Sequence, residues 1–281
     1  MIEVKECSKA FGAVKAVNKA TLDVGVREVF GLVGSNGAGK STLLRMMAGI
    51  IKPDEGEIQI DGMSVYENEE AKKLFFYISD DSYFPANYTA MDLVRFYRNF
   101  YPQFRTRFFH ELMEQFHLEE NRRIATFSKG MKKQVLVIIG VCAATKYLFC
   151  DETFDGLDPV MRQAVKSLFA AEIMNREFTP VIASHNLREL EDICDHVGLL
   201  HKGGILLSKD LEDMKFHIHK IQCVLSGRQQ EKELEKELQV LKVQHQGSLL
   251  MITARGTRSE IIEKIPVSYT HLRAHETDSY L

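Results

Sequence analysis

The segment of the chain that most constrains its fold is a glycine-rich octapeptide, GSNGAGKS, at residues 34–41. A β-rich run at residues 28–33 precedes it, and a helical pattern that starts at Ser41 ends on Gly49. This order predicts a phosphate-binding loop, because glycines let backbone N–H groups turn inward around an anion and the helix N-terminus adds partial positive charge. We expect Lys40 to reach the β- and γ-phosphates of a nucleotide and the Ser41 hydroxyl to bind Mg²⁺.

A second motif supports this prediction. Residues 147–150 form an apolar run that ends in Asp151 and Glu152, and a parallel strand that ends there would place both carboxylates beside the phosphate loop. We expect Asp151 to hold Mg²⁺ and Glu152 to orient or activate the attacking water. An apolar run followed by two acidic residues is weak evidence by itself, but together the two motifs predict a P-loop NTPase.

The rest of the chain alternates strand-like and helical segments, which predicts an α/β fold with a mostly parallel central sheet. We expect an N-terminal antiparallel β-subdomain, a helical subdomain inserted at about residues 80–144, and a small C-terminal α/β appendage. The clearest individual elements are strands at 147–150 and 181–183, helices at 159–175 and from 187, and, in the appendage, strands at 218–225 and 249–254 with a charged helix at 229–238.

These boundaries give three parts: a nucleotide-binding domain over residues 1–215, the appendage over 216–267, and a tail over 268–281. The tail has no apolar periodicity and resembles translated vector sequence, so we interpret it as non-native.

Composition excludes several classes of protein. The 281 residues are 45% hydrophobic and carry a net charge of −3, which does not favour binding to nucleic acid. The five cysteines include no CxxC pair, so we expect reduced, buried thiols rather than a disulfide or zinc framework. There is no signal peptide pattern and no apolar run of membrane-spanning length, so we do not expect the chain to span a membrane by itself.

Four further motifs resemble those of the ABC ATPase family. Residues 127–134, FSKGMKKQ, resemble the family signature, which is usually LSGGQ, and lie at the expected distance before Asp151. Residues 155–159, DGLDP, resemble the D-loop of the family, and His185 follows a predicted strand as the switch histidine does. Phe11 stands where the family places the aromatic residue that stacks on adenine.

The resemblance implies that two nucleotide domains pair head to tail, as a homodimer or with a paralogous ATPase subunit. In that arrangement Ser128 and Gly130 of the opposite subunit close over the γ-phosphate, His185 contacts the γ-phosphate, and Asp158 signals across the dimer. Catalysis is assigned to Glu152, His185 and Lys40. The ATP-binding residues of the same subunit are Phe11, Gly34, Ser35, Asn36, Gly37, Ala38, Gly39, Lys40, Ser41 and Thr42.

The sequence departs from the family pattern at several positions. Lys129 and Met131 replace a glycine and a glutamine of the signature, and Thr153 stands where proline is usual. Asp80 occupies the Q-loop position, where glutamine is usual. We expect Asp80 to contact Mg²⁺ or its water and to alter coupling to the partner. Three lysines of this segment also fit a solvent-exposed helix face, so no role is assigned to them: Lys129, Lys132 and Lys133.

The function that this resemblance implies is an ATP-hydrolysing subunit that drives a separate membrane permease from the cytoplasmic face of the membrane. The short signature and small appendage favour export over import. The helical insertion is rich in aromatic residues, some of which we expect to dock the permease. The alternatives are a soluble ABC ATPase that acts on ribosomes or DNA, and a non-catalytic nucleotide-binding regulator. Aromatic residues of the insertion include Tyr83, Phe84, Phe96, Tyr97, Phe100, Tyr101, Phe104, Phe108 and Phe109.

Overall fold

The computed structural model describes residues 1–191, 193–210, 218–223, 239–246, 249–255 and 270–271. The chain divides into two compact units, Met1–Ser208 and Lys209–Leu281. The charged helix predicted at residues 229–238, and all of the predicted tail except 270–271, lie outside the described residues.

The described strands, in chain order, are β1 Ile2–Phe11, β2 Val14–Val24, β3 Phe30–Val33, β4 Glu55–Ile60, β5 Met63–Ser64, β6 Phe75–Ile78, β7 Tyr147–Asp151, β8 Thr179–Ser184, β9 His196–His201, β10 Gly204–Asp210, β11 Ile218–Cys223, β12 Gln239–Gln246, β13 Leu249–Arg255 and β14 Thr270–His271. The described helices are α1 Lys40–Met47, α2 Glu69–Lys72, α3 Ala90–Tyr97, α4 Thr106–Gln115, α5 Lys129–Cys142, α6 Pro159–Asn175 and α7 Leu187–Glu191, with a 3₁₀ turn at Ile124–Thr126.

An antiparallel sheet begins the first unit, in the strand order β2-β1-β4-β5. Strand β1 pairs antiparallel with both β2 and β4. One face of the sheet is apolar and buried, with Ile2 and Val4 of β1 opposite Val24 and Leu22 of β2. The predicted N-terminal antiparallel β-subdomain is therefore confirmed.

The central sheet has the strand order β10-β9-β3-β8-β7-β6. Strands β6, β7, β8, β3 and β9 pair in parallel with their neighbours in that order. All five residues of β7 are buried, as expected for a parallel strand that is covered on both faces. The carboxyl ends of these strands meet at one edge, and that edge carries the phosphate loop and the two carboxylates. The predicted α/β class with a mostly parallel sheet is confirmed.

The core of the first unit lies between the two sheets around α1. Leu43 and Leu44 of this helix are fully buried among Val4 of β1, Phe149 of β7 and Val181 of β8. Because α1 starts directly after the glycine-rich loop, packing of this helix into the core fixes the position of the loop relative to the end of β7.

Three helices, α3, α4 and α5, lie between β6 and β7. A capping box between Thr89 and Asp92 starts α3, and Ser128 caps the N-terminus of α5 with its side chain. Helix α5 is buried almost continuously from Lys133 to Cys142. Within the part of the chain that the structure describes, no helix has both the length and the apolar character of a membrane span.

The second unit contains an antiparallel sheet in the order β12-β13-β11-β14. Strands β11 and β13 match the two strands predicted here, whereas β12 was not predicted. Of the cysteines predicted to be buried thiols, Cys7, Cys142, Cys150 and Cys194 are buried and free.

Candidate functional site

The glycine-rich loop joins the end of β3 to the start of α1 and folds around the amine of Lys40. Lys40 is buried, and its Nζ donates hydrogen bonds to the carbonyl oxygens of Gly34 at 2.8 Å and Ser35 at 3.3 Å. The amide of Ala38 also donates to the Ser35 carbonyl, at 3.0 Å. The result is a closed loop that places one ammonium group and the N-terminus of α1 at the same point, as binding of a phosphate requires.

A cleft of about 530 Å³ opens at this loop. Its volume suits a small-molecule ligand. It brings together residues that the sequence places far apart, from the loop, the Q-loop position, the end of β7 and the end of β8. The lining residues are Val14, Ala16, Asn36, Gly37, Gly39, Lys40, Ser41, Thr42, Asp80, Glu152, Asp155 and His185.

Asp151 ends β7 beneath the loop and is completely buried. Its carboxylate accepts hydrogen bonds from the Ser41 hydroxyl at 2.8 Å and from the Tyr77 hydroxyl at 3.2 Å. Burial raises the pKa of Asp151 above its usual range, although both hydrogen bonds and the nearby Arg45 oppose the rise. A carboxylate held in this environment gains from a cation placed against it.

The donor set around Asp151 fits Mg²⁺. The hydroxyl of Ser41 and the carboxylate of Asp151 already contact each other and offer hard oxygen ligands. The described residues contain no cluster of three or more histidine, cysteine or acidic side chains that would form an all-protein metal site. Mg²⁺ usually takes one or two carboxylates together with the phosphates of the substrate.

Glu152 is the carboxylate that faces the cleft. Its Oε1 lies 3.2 Å from Nζ of Lys40, and its Oε2 lies 2.9 Å from Nδ1 of His185. Its backbone has a positive φ of 47°, which side chains with a Cβ seldom adopt, and its amide donates to the Ala183 carbonyl at 3.0 Å. Two cationic or hydrogen-bonding groups and a fixed backbone therefore aim this carboxylate at the phosphate loop.

Asp80 lies at the cleft, about half-exposed, and its Oδ1 is 3.3 Å from Nζ of Lys133. The interpretation of Lys133 as part of a solvated face is wrong, because this side chain is buried behind Glu152, whereas Lys129 is exposed. The expectation that Asp80 contacts Mg²⁺ stays a prediction.

Outside the phosphate loop and β7, four predicted residues do not line the cleft of their own chain. Phe11 is half-exposed at the end of β1 and pairs in register with Val14, which does line the cleft. Ser128 and Asp158 are exposed N-terminal caps of α5 and α6. Gly130 lies near the carbonyl of Gly156, since a Cβ at Gly130 would be 3.2 Å from it. These signature and D-loop residues are not brought to the phosphate loop of the same chain.

Two residues of the site were missed from the sequence. Tyr77 lies on β6, a strand that was not predicted. The available signal was an apolar tetrapeptide that ends shortly before Asp80. Lys133 has no role assigned from the sequence, because the lysines of this segment also fit a solvent-exposed helix face. The signal available for Lys133 was the apolar run that follows it, Val135–Val141, which places it at the start of a buried helix.

Comparison with known proteins gives a consistent result. Residues 17–155 match the family model described as ABC transporter. The chain is 32% identical over 222 residues to the ABC transporter ATP-binding protein YtrB of Bacillus subtilis (strain 168), covering 79% of this chain and 76% of that relative.

Solved structures extend this likeness to the fold. A structure described as the ATP-binding subunit of an ABC transporter is 27% identical, with a TM-score of 0.70, and the match covers 76% of this chain and 92% of that one. A dimeric ATP-binding cassette in a post-hydrolysis state, bound to ADP and Pi, has the same fold at 20% identity, with a TM-score of 0.66 and coverage of 75% and 99%.

Proposed function

The chain belongs to the ABC transporter family as an ATP-binding, ATP-hydrolysing subunit, and from this we propose that hydrolysis takes place in the cleft with Glu152 acting on the attacking water. One observation carries the proposal. The Glu152 carboxylate is held between Lys40 at 3.2 Å and His185 at 2.9 Å, at the mouth of the phosphate loop. A carboxylate oriented this closely can accept a proton from water, provided that the phosphate takes over the interaction with Lys40.

The chemistry follows from the charges. The phosphates of ATP compete with Glu152 for Lys40, and the amides of the loop add donors for the same oxygens. Glu152, released from Lys40 and still held by His185, hydrogen-bonds a water placed in line with the γ-phosphorus. The water oxygen bonds to that phosphorus, the bond to the β-phosphate oxygen breaks, and Glu152 accepts the proton of the water. Ser41 and Asp151 would hold Mg²⁺, which would neutralise charge on the phosphates of the nucleotide.

We also propose that two copies, or this chain and a paralogue, share each nucleotide. Ser128, Gly130 and Asp158 do not line the cleft of their own chain, and Ser128 and Asp158 are exposed. They are therefore free to serve a second cleft across a head-to-tail interface, where the N-terminus of α5 would face the γ-phosphate. The dimeric cassette of the same fold that holds ADP and Pi supports this arrangement. Phe11, half-exposed beside the cleft, is proposed to stack on adenine.

The partner proposed for the helical insertion is a membrane permease, with this subunit peripheral to the cytoplasmic face of the membrane. Several aromatic side chains of the insertion are exposed, Tyr83 by 88%, Phe100 by 59% and Phe96 by 47%. Phe104 and Phe109 are buried and belong to the core of the insertion. An exposed aromatic patch of this kind suits docking of an apolar helix. The short signature and small appendage support export as the direction of transport.

The ATPase rate of Glu152→Gln tests the catalytic part of the proposal. We expect kcat to fall about 100-fold or more, because a general base supplies that factor, while affinity for ATP is retained. Glu111→Gln is the control, since Glu111 is exposed and pairs with Arg107 on the surface of α4. A Glu152→Gln protein with the rate of the control would exclude Glu152 from catalysis.

Sedimentation with membranes tests the partner. We expect Phe100→Ser to weaken recovery with membranes of cells that express the permease, while binding of a fluorescent ATP analogue is unchanged. Met174→Ser is the control, because Met174 is 82% exposed on α6, outside the insertion. Equal loss of membrane recovery and nucleotide binding would mean that Phe100→Ser disturbs the fold rather than a docking surface. Recovery of the wild-type chain with ribosomes instead of membranes would favour the soluble alternative.

A further inference from the structure

Lys133 of α5 is buried directly behind the candidate catalytic residue. Only 5% of its surface is exposed. Its Nζ contacts three oxygen atoms: the backbone carbonyl of Glu152, the backbone carbonyl of Asp155 at 3.0 Å, and Oδ1 of Asp80 at 3.3 Å. An ammonium group has three N–H donors. Each of them has an acceptor, so the group is fully satisfied without water.

The two carbonyls are the ends of one short turn. Glu152 and Asp155 both line the cleft, and the chain between them turns away from the end of β7. Glu152 has a positive φ, a conformation that persists only where the surroundings enforce it. The amide of Glu152 is held by Ala183, and its carbonyl is held by Lys133. These two contacts fix the peptide groups on both sides of the Glu152 side chain.

Asp80 supplies the charge that Lys133 requires. A buried ammonium is costly unless it is paired and hydrogen-bonded, and two carbonyl oxygens carry no net charge. Glutamine, the usual residue at the Q-loop position, would offer only a third neutral oxygen. The buried ammonium of Lys133 therefore needs the negative charge of Asp80, which explains why an aspartate stands at this position.

We propose that Lys133 is a positioning residue for ATP hydrolysis. Its ammonium holds the carbonyls of Glu152 and Asp155, so that the Glu152 carboxylate points at the phosphate loop, and Asp80 is its counter-charge. The proposal rests on the proposed catalytic role of Glu152. It differs from the expectation that Asp80 contacts Mg²⁺, because here the Asp80 carboxylate acts through its ion pair with Lys133.

The test is a comparison of kcat and KM in the full chain. Lys133→Met keeps much of the apolar length but removes the charge and the three donors. We expect kcat to fall about 10- to 100-fold, the effect of misplacing a catalytic group, while KM for ATP changes less than about twofold. The rate is expressed per folded, ATP-binding chain, because a variant that is partly unfolded would also lower the apparent kcat at constant KM. Lys133→Arg keeps the charge and donors and should recover much of the rate.

Lys146→Met is the matched control. Lys146 is also ion-paired, to Asp61 and Glu177, but lies just before β7, at the opposite end of the strand from Asp151. The Lys146→Met substitution should lower the melting temperature and leave kcat unchanged.

Asp80→Asn completes the comparison. It removes the counter-charge at a half-exposed position and should lower kcat in the same direction by a smaller factor. The double variant with Lys133→Met should be no slower than Lys133→Met alone, because the two residues act as one unit. If the Lys133→Met protein does not fold, kcat of the Asp80→Asn protein becomes the test. An unchanged kcat in the Asp80→Asn protein then overturns the proposal.

The reference is Glu152→Gln measured beside the other variants. Loss of activity in Glu152→Gln with a normal kcat in Lys133→Met overturns this inference and leaves the proposed function intact. Normal activity in Glu152→Gln overturns the proposed function itself. A parallel change of kcat and KM in Lys133→Met also contradicts positioning.

Discussion

Two glycines of the phosphate loop test its structure, because both need a left-handed backbone conformation but only one lies against the backbone of a neighbouring strand. Gly37 and Gly39 both have positive φ, +80° and +106°, so alanine is strained at either position. A Cβ on Gly39 would lie 2.2 Å from the carbonyl oxygen of Ala16, whereas a Cβ on Gly37 has nothing within 4 Å. The left-handed conformation costs about 1–2 kcal/mol at each site. Gly39→Ala adds a clash with backbone, comparable to overpacking, at about 1–3 kcal/mol more.

We therefore expect Gly39→Ala to be less stable than Gly37→Ala by about 1–3 kcal/mol in the absence of nucleotide. Urea unfolding of the two nucleotide-free proteins measures this difference, and a fluorescent ATP analogue reports whether the loop still binds. Moving the Ala16 carbonyl also disturbs β2 at the cleft, so Gly39→Ala should lose ATP binding as well. Equal stability of the two variants would refute the reasoning, because it would mean that the loop does not approach β2 as described.

Three further substitutions test other parts of the structure. The pKa of Asp61 is lowered to about 2. Burial raises it, but the hydrogen bonds that its carboxylate accepts, the strongest from the N-terminal ammonium, outweigh burial. Asp61→Asn should therefore cost about 1–2 kcal/mol at neutral pH after solvent screening, measured by urea unfolding. Glu172 is buried between Arg105 and Arg176. Glu172→Gln should therefore lower the free energy of unfolding by about 3 kcal/mol or more, measured by thermal unfolding. Tyr77→Phe removes a donor to Asp151 and should raise the Mg²⁺ concentration for half-maximal ATPase about tenfold.

The pH dependence of the first substitution has a definite sign. Because folding lowers the pKa of Asp61, the stability that it provides is present above pH 3.8, its usual value, and is lost as the pH falls toward 2. The wild type and Asp61→Asn should converge in acid, and a constant difference across that range would contradict the assignment. A loss under about 1 kcal/mol for Glu172→Gln would contradict the buried ion pairs. An unchanged Mg²⁺ requirement in Tyr77→Phe would remove Tyr77 from the site.

The parts of the fold that the sequence predicts well are those with strong local signals. The octapeptide at residues 34–41 requires a loop between a strand and a helix, and α1 begins at Lys40 within it. Residues 147–150 are apolar and end in two acidic residues, and β7 follows that run to Asp151. Helix α6 spans Pro159–Asn175, as predicted, because Asp158 and Pro159 give a clear start signal.

The elements that the sequence did not predict lack such signals. Strand β6 is a four-residue apolar run, too short to distinguish from a helical segment by periodicity. In β12 the register shifts between Val240 and Lys242, so its apolar residues do not alternate as they do in a regular strand. Without that alternation, the local sequence gives little to distinguish this segment from a helix or a loop.

The arrangement of the site depends on contacts between distant segments. The sequence identifies Lys40, Glu152 and His185 one at a time, through separate motifs. It does not indicate that Glu152 contacts both of the others, since 112 and 33 positions along the chain separate those pairs. Lys133 is the clearest case. Its charge predicts a solvent-exposed side chain, and only the proximity of Asp80 and two carbonyls makes its burial favourable.

The most direct test of ATP-driven pairing, which is the central claim, is light scattering on purified Glu152→Gln protein with and without ATP and Mg²⁺. This substitution keeps the shape of the side chain and removes the proton acceptor, so bound ATP should persist. We expect a shift from monomer to dimer that requires both ATP and Mg²⁺ and that is lost when the signature is altered by Ser128→Arg. A protein that binds ATP but stays monomeric under these conditions would contradict pairing of two identical chains.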